Sequence, residues 1–306
     1  MQVKIGNGFC GNCGQEISIH RIFLLRDILF NLLRKHHKTF IIGFGLLFLG
    51  VTLGLYIKSS NVGSVSEDSS GQLSTNHLYD DQAEMFSSVV NIYCTSSLGE
   101  EDSGGGSGVI ISEEGLILTN AHVVPHNEEY VYVGDGGCLV ILPNTETGLP
   151  EEMYMADPIL IPSLSDAYDL AFLYIKSAYF DEETQEYLGV YPKVFSTYKG
   201  WDTCVDNVVK LGDKVTVYGY PSLTGGYSLT VTEGVISSFT SDGFIVTSAK
   251  ISSGNSGGLA VSKNGCWVGI PSMVFSDEYE SMGVIIPTSL INQFSAEVYT
   301  LLDNEE

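Results

Sequence analysis

Three short stretches hold residue types that could cooperate on one reaction. Ser256 lies in the run Gly254-Asn255-Ser256-Gly257-Gly258. A serine hydroxyl is a poor nucleophile near neutral pH and works only beside a base. Its small neighbours would let a substrate backbone approach, although such a run by itself is also an ordinary Gly-rich turn. Histidine is the usual base, and beyond residue 58 the sequence holds only His77, His122 and His126. His122 sits in TNAHVV, and a lone histidine is otherwise most often a packed or surface residue. Two carboxylates, Asp166 and Asp169, share the stretch DAYDLAFLYIK, and Asp169 directly precedes the apolar run LAFLYI. Along the chain the order is His, Asp, Ser.

A second chemistry is suggested at the N-terminus. Cys10-Gly-Asn-Cys13 resembles one knuckle of a zinc ribbon, in which two thiolates grip a tetrahedral ion. A closed structural site takes four ligands, and no second CxxC follows. His20 or the same knuckle of a second chain would have to complete it, and free thiols in a reducing compartment are the alternative. Four further cysteines, Cys94, Cys138, Cys204 and Cys266, allow two disulfides with three pairings, or buried thiols.

The elements that must carry these residues are short strands. From about residue 81 to 304 the chain alternates brief apolar runs (SSVVNIYC, GLILTNA, KVTVYGY, GFIVTSA, WVGIPSMVF) with Gly, Asn, Asp and Pro. Many short strands at close spacing predict a sandwich or a barrel. Only the last stretch has helical spacing, with Leu290, Ile291, Phe294, Val298 and Leu301 as its apolar stripe.

Taken together and in order, GSGVIISEEGLILTNAHVV (106–124), DAYDLAFLYIK (166–176) and SSGNSGGLAV (252–261) resemble trypsin-like serine proteases of the HtrA (Do-like) group. LGDKVTVYGYPSLTGGYSLTVTEGVISS and MGVIIPTSLI extend the likeness over nearly all of 84–303. The resemblance implies a mainly β, chymotrypsin-like double β-barrel with a C-terminal helix, acting as an endopeptidase on proteins or peptides without a cofactor. It implies Ser256 as nucleophile, His122 as general base and Asp169, preferred over Asp166, as the group that orients the imidazole. The N–H groups of Gly254 and Ser256, with that of Asn255 nearby, would form the oxyanion hole. Such proteases commonly form trimers, so a homo-oligomer is an expected state.

Some features depart from the group. The sequence ends just past the terminal helix, so no PDZ domain is expected after the protease. Lys250 stands six residues before Ser256, a position that lines the base of the primary specificity pocket in trypsin-like proteases. A buried ammonium there would favour an acidic side chain before the scissile bond, unless it snorkels to solvent or pairs locally. The stretch 177–209 has no obvious counterpart, and its aromatics are expected to cover a barrel edge or face a partner. A pseudoprotease that binds peptides on the same barrel is the rival reading.

Charge and hydropathy add a location. The formal net charge of the 306 residues is −23, which excludes nucleic acid as a main partner because phosphate binding needs clustered cations. Residues 1–58 hold seven Lys and Arg against Glu16 and Asp27, whereas the remainder holds seven Lys, no Arg and 35 acids. Near the end of the first part, 39–57 (TFIIGFGLLFLGVTLGLYI) is uncharged over 19 residues, about the length that spans a bilayer core. Basic residues gather on its N-terminal side, which places that side in the cytoplasm. No small-x-small cleavage site follows it, which favours an uncleaved anchor over a signal peptide. The expected organisation is a cytoplasmic head over 1–38 with the CxxC half motif and an amphipathic helix. A transmembrane helix over 39–57, a Ser/Gly/Asp-rich tether over 58–80 and an extracytoplasmic protease domain over 81–306 follow. The protein is thus expected in the cell membrane as a single-pass chain.

Overall fold

The computed structural model describes residues 83–99, 103–127, 129, 131–191, 194–198, 209–276 and 281–303. The head with Cys10 and Cys13, the apolar stretch 39–57, the tether and Cys204 lie outside these residues. Among the described residues no helix is long and apolar enough to cross a membrane.

Fourteen strands build two closed six-stranded barrels and a small hairpin. The first barrel runs β1 (Val89–Ser96), β2 (Gly104–Ile110), β3 (Leu116–Thr119), β6 (Ala171–Ala178), β5 (Pro150–Ile159) and β4 (Val133–Pro143), in that spatial order. The second runs β10 (Thr230–Phe239), β11 (Ile245–Thr247), β14 (Ser281–Pro287), β13 (Trp267–Ser276), β12 (Leu259–Ser262) and β9 (Lys214–Gly219). All pairings in both barrels are antiparallel. Closure removes the exposed edges that short antiparallel strands would otherwise leave. Both barrels lie within one compact unit, Ser74–Val298.

Each barrel is filled by its own side chains. Val90, Ile92, Ile117, Val140, Tyr154, Leu173 and Ile175 fill the first, and Val215, Val217, Ile236, Ile245, Val268 and Ile285 the second. Burying an aliphatic side chain of this size is worth about 1.5–3 kcal/mol. Part of the stretch without a family counterpart closes the first barrel. Phe195 is buried there and packs edge-on against Tyr154 and Tyr191, each at 5.5 Å. The hairpin β7 (Phe180–Asp181) and β8 (Glu186–Tyr187) keeps Phe180 and Tyr187 exposed.

The C-terminal helix Thr288–Asp303 buries Ile291, Phe294 and Val298, at the spacing of one helix face, while Leu301 is exposed. Phe294 stacks against Tyr168 and Phe172, which bracket Asp169. The Tyr168 hydroxyl donates to Glu297 at 2.6 Å. The bonds from Tyr168 and Gln293 hold the Glu297 carboxyl below its usual range. This tether is therefore present above the ordinary carboxylate range and is lost as pH falls through the depressed value.

Cys94 and Cys138 lie directly opposite each other on β1 and β4 and form a disulfide. It locks the seam that closes the first barrel. Cys266 is disulfide-bonded as well. Replacing both Cys94 and Cys138 by alanine is expected to lower stability by about 2–4 kcal/mol, read from urea denaturation. An unchanged denaturation midpoint would show that the seam needs no covalent link.

Candidate active site

The three stretches singled out above meet between the barrels. A 3-10 turn, Ala121–Val123, follows β3 and carries His122. A short helix, Pro162–Tyr168, ends on Asp169 in a left-handed conformation, φ 52°. Aspartate tolerates that region better than most residues. The turn 252–258 leads into β12 and carries Ser256.

Asp169 is enclosed by donors. His122 Nδ1 lies 2.8 and 3.0 Å from its two carboxylate oxygens, and the His122 main-chain N–H donates to Oδ1 at 3.2 Å. Asn120 Nδ2 donates to Oδ2 and to the Asp169 carbonyl. The Ser272 hydroxyl donates to Oδ2 at 2.5 Å. A carboxylate so placed fixes the proton on Nδ1 and leaves the His122 Nε2 lone pair to act as a base. The His122 side chain is half exposed.

Ser256 is held in a turn that only glycine permits. Gly254 and Gly257 have φ of 94° and 86°. A Cβ on Gly254 would lie 2.3 Å from the Tyr220 carbonyl oxygen, and one on Gly257 2.1 Å from that of Ser107. The amides of Gly254 and Ser256 donate to no protein acceptor among the described residues. The Asn255 amide, by contrast, donates to Ser252 O at 3.0 Å. Asn255, expected near the oxyanion hole, is thus engaged within the turn itself, and two amides of this run are free to meet an oxyanion.

Ser256 Oγ donates to the carbonyl of Ser272 at 2.8 Å and makes no hydrogen bond to His122. Ser272 therefore holds two members of the group, Asp169 through its hydroxyl and Ser256 through its carbonyl. Local backbone explains how. The β13–β14 register shifts between Pro271 and Met273, so Ser272 sits at a bulge. Pro271 has no N–H to give, and a bulge re-aims the residue beside it. Pro271 O in turn accepts the Gly257 amide at 3.0 Å.

Ser107, on β2 of the first barrel, anchors the same turn from the other side. Its amide donates to Ser256 O at 2.8 Å, and its hydroxyl donates to Gly254 O at 2.6 Å. That hydroxyl also accepts the Tyr220 amide at 2.9 Å, and Thr119 donates to the Ser107 carbonyl at 2.6 Å. Ser107 and Asn120 lie inside the motifs read from sequence, as GSG and TNAHVV, but nothing in the sequence assigned them these contacts. Ser272 had no signal of its own beyond membership of an apolar run that follows Pro271.

Lys250 is exposed, and its carbonyl accepts the Thr232 hydroxyl. The argument from a buried ammonium therefore loses its premise, because the charge is solvated. Among the described residues no cluster of three or more His, Cys, Asp or Glu could hold a metal ion.

The trypsin-like peptidase domain profile matches residues 106–270, from the GSG motif to β13. The chain belongs to the trypsin-like peptidase family. A probable periplasmic DegP-like serine endoprotease of Brucella suis is 33% identical over 197 residues, covering 61% of this chain and 31% of that protein. Protease Do-like 2, chloroplastic, of Arabidopsis thaliana is 27% identical over 232 residues, covering 69% of this chain and 32% of that protein. The chain thus spans about a third of the length of the curated relatives it matches. The crystal structure of a serine endoprotease from Yersinia pestis aligns with a TM-score of 0.50 at 26% identity, over 76% of this chain and 68% of that one.

Replacing Ser272 by alanine removes a charge-assisted donor from Asp169 but keeps the backbone carbonyl. Loss of such a bond corresponds to about a tenfold fall in turnover with little change in folding. A Ser272→Ala protein with unaltered kcat would show that the remaining donors fix Asp169 unaided.

Proposed function

We propose that this protein is a serine endopeptidase that cleaves proteins or peptides by acyl transfer to Ser256. The single observation that carries the reading is the pair His122 Nδ1–Asp169, within hydrogen-bond range of both carboxylate oxygens, beside a serine in a glycine-locked turn. His122 Nε2 takes the Ser256 proton as Oγ attacks the peptide carbonyl, then gives it to the leaving amine. Water repeats the sequence to release the acyl group. The Gly254 and Ser256 amides receive the oxyanion, each such donor being worth roughly 2.7–4 kcal/mol in the transition state. Asp169 stays ionised and stabilises the imidazolium.

The reading requires Ser256 Oγ to leave the Ser272 carbonyl for His122 when substrate enters. A change of side-chain rotamer is a motion that is fast beside typical turnover. No cofactor enters these steps. The parked hydroxyl is what a pseudoprotease reading would build on, whereas the four donors gathered on Asp169 serve no purpose in mere peptide binding.

In this proposal the protein is anchored by 39–57 with residues 59–306 outside the cytoplasm, supported by the uncharged run and the basic residues before it. The Brucella relative is described as periplasmic, in keeping with that placement. Cleavage of damaged or regulated envelope proteins is the role that fits an anchored endopeptidase of this kind.

The test is hydrolysis of unfolded casein by the full chain. Ser256→Ala is expected to abolish it, and Asp169→Asn, which leaves the geometry but favours the wrong tautomer, to reduce kcat by about 10⁴. Hydrolysis that survives Ser256→Ala would refute the assignment.

A further inference from the structure

His126, the other histidine among the described residues, is not used by the chemistry above. Its side chain is only 8% exposed. Nδ1 lies 2.5 Å from the Val124 carbonyl oxygen and Nε2 lies 2.8 Å from Asp166 Oδ1. Each ring nitrogen thus faces an oxygen that accepts hydrogen bonds, so the ring links the Val124 carbonyl to the Asp166 carboxylate.

The position of this pair gives it a task. Val124 caps the 3-10 turn that carries His122, and its amide closes that turn on Ala121 O at 2.9 Å. Asp166 lies in the helix Pro162–Tyr168, which delivers Asp169 one residue after its end. His126 is four residues after His122, and Asp166 is three residues before Asp169. Two imidazole–carboxylate pairs therefore join the same two segments side by side. The remaining direct ties between those segments, from Asn120 Nδ2 and from the His122 amide, come from residues before or at His122. His126 ties the far end of the turn to the helix that carries Asp166. Its backbone is fixed as well, by an antiparallel bridge to Val131 and by Tyr132 N–H donating to Pro125 O at 2.9 Å.

We propose that His126 and Asp166 form a positioning pair for the His122–Asp169 couple. This rests on the peptidase reading above. The pair touches no reacting atom; it sets the distance and angle at which the His122 ring meets Asp169. Catalysis tolerates little error there, since an ångström of misplacement costs on the order of 100-fold in rate. Loosening one of several ties is expected to cost less, about tenfold.

The test is the reaction of the full chain with a fluorophosphonate reporter, measured as a saturating rate constant and a half-saturation concentration. His126→Gln and Asp166→Asn are each expected to lower the rate constant about tenfold and to leave half-saturation within about twofold, because the ties affect reactivity and not binding. The double variant is expected to be no slower than either single one, and Asp166→Glu to recover part of the rate. Thermal melting of each variant checks that it is folded. Should His126→Gln fail to fold, Asp166→Asn carries the test, since Asp166 is half exposed. Folded variants that react at the wild-type rate would overturn the pairing, as would losses that multiply in the double variant. A folded wild-type chain that does not react would overturn the peptidase reading itself, and the pairing with it.

Discussion

The arrangement depends above all on one buried serine that joins the two barrels. Ser107 belongs to the first barrel, yet its amide and hydroxyl hold the carbonyls of Ser256 and Gly254 in the second. The nucleophile turn is thereby fixed relative to β3 and the His122 turn that follows it. Without this link each barrel would still have its own core, but the nucleophile turn would lose its direct tie to β2, leaving Ser272 to connect Ser256 with Asp169. The glycines make the approach possible, because a side chain at 257 would collide with the Ser107 carbonyl.

Ser272 plays the matching part from β13. A strand residue ordinarily spends its carbonyl in the ladder, but the bulge after Pro271 frees this one. Its carbonyl holds the Ser256 hydroxyl and its side chain holds Asp169. The same residue thus orients the carboxylate and parks the nucleophile. Asp169 itself sits at a helix end in a left-handed conformation, packed by Tyr168 and Phe172 onto the C-terminal helix. The helix that ends the described chain is in this way part of the support for the carboxylate.

Much of this was legible in the sequence, and the rest was not for physical reasons. Short apolar runs separated by turn residues predict a sandwich or a barrel, and the likeness to HtrA proteases implies the double barrel and the roles of His122, Asp169 and Ser256, which stand in local motifs. The contacts of Ser107 with Gly254 and Ser256, and of Ser272 with Asp169 and Ser256, join residues more than 100 positions apart in three of the four cases. No local pattern encodes which hydroxyl meets which carbonyl. The bulge at Ser272 has a faint signal in Pro271, which is out of place inside a strand. For Lys250 the sequence left a buried and a solvated ammonium both open, because place in the chain says nothing of exposure, and the side chain is exposed. The Cys94–Cys138 bond depends on β1–β4 register, which spacing leaves open among three pairings.

The most direct test of the central claim is to treat the full chain with diisopropyl fluorophosphate at neutral pH and locate the adduct by mass spectrometry. This account predicts a single phosphorylated residue, Ser256, and no adduct when His122 is replaced by alanine. An adduct on Ser252 or Ser253, or one on Ser256 that forms equally fast without His122, would contradict it.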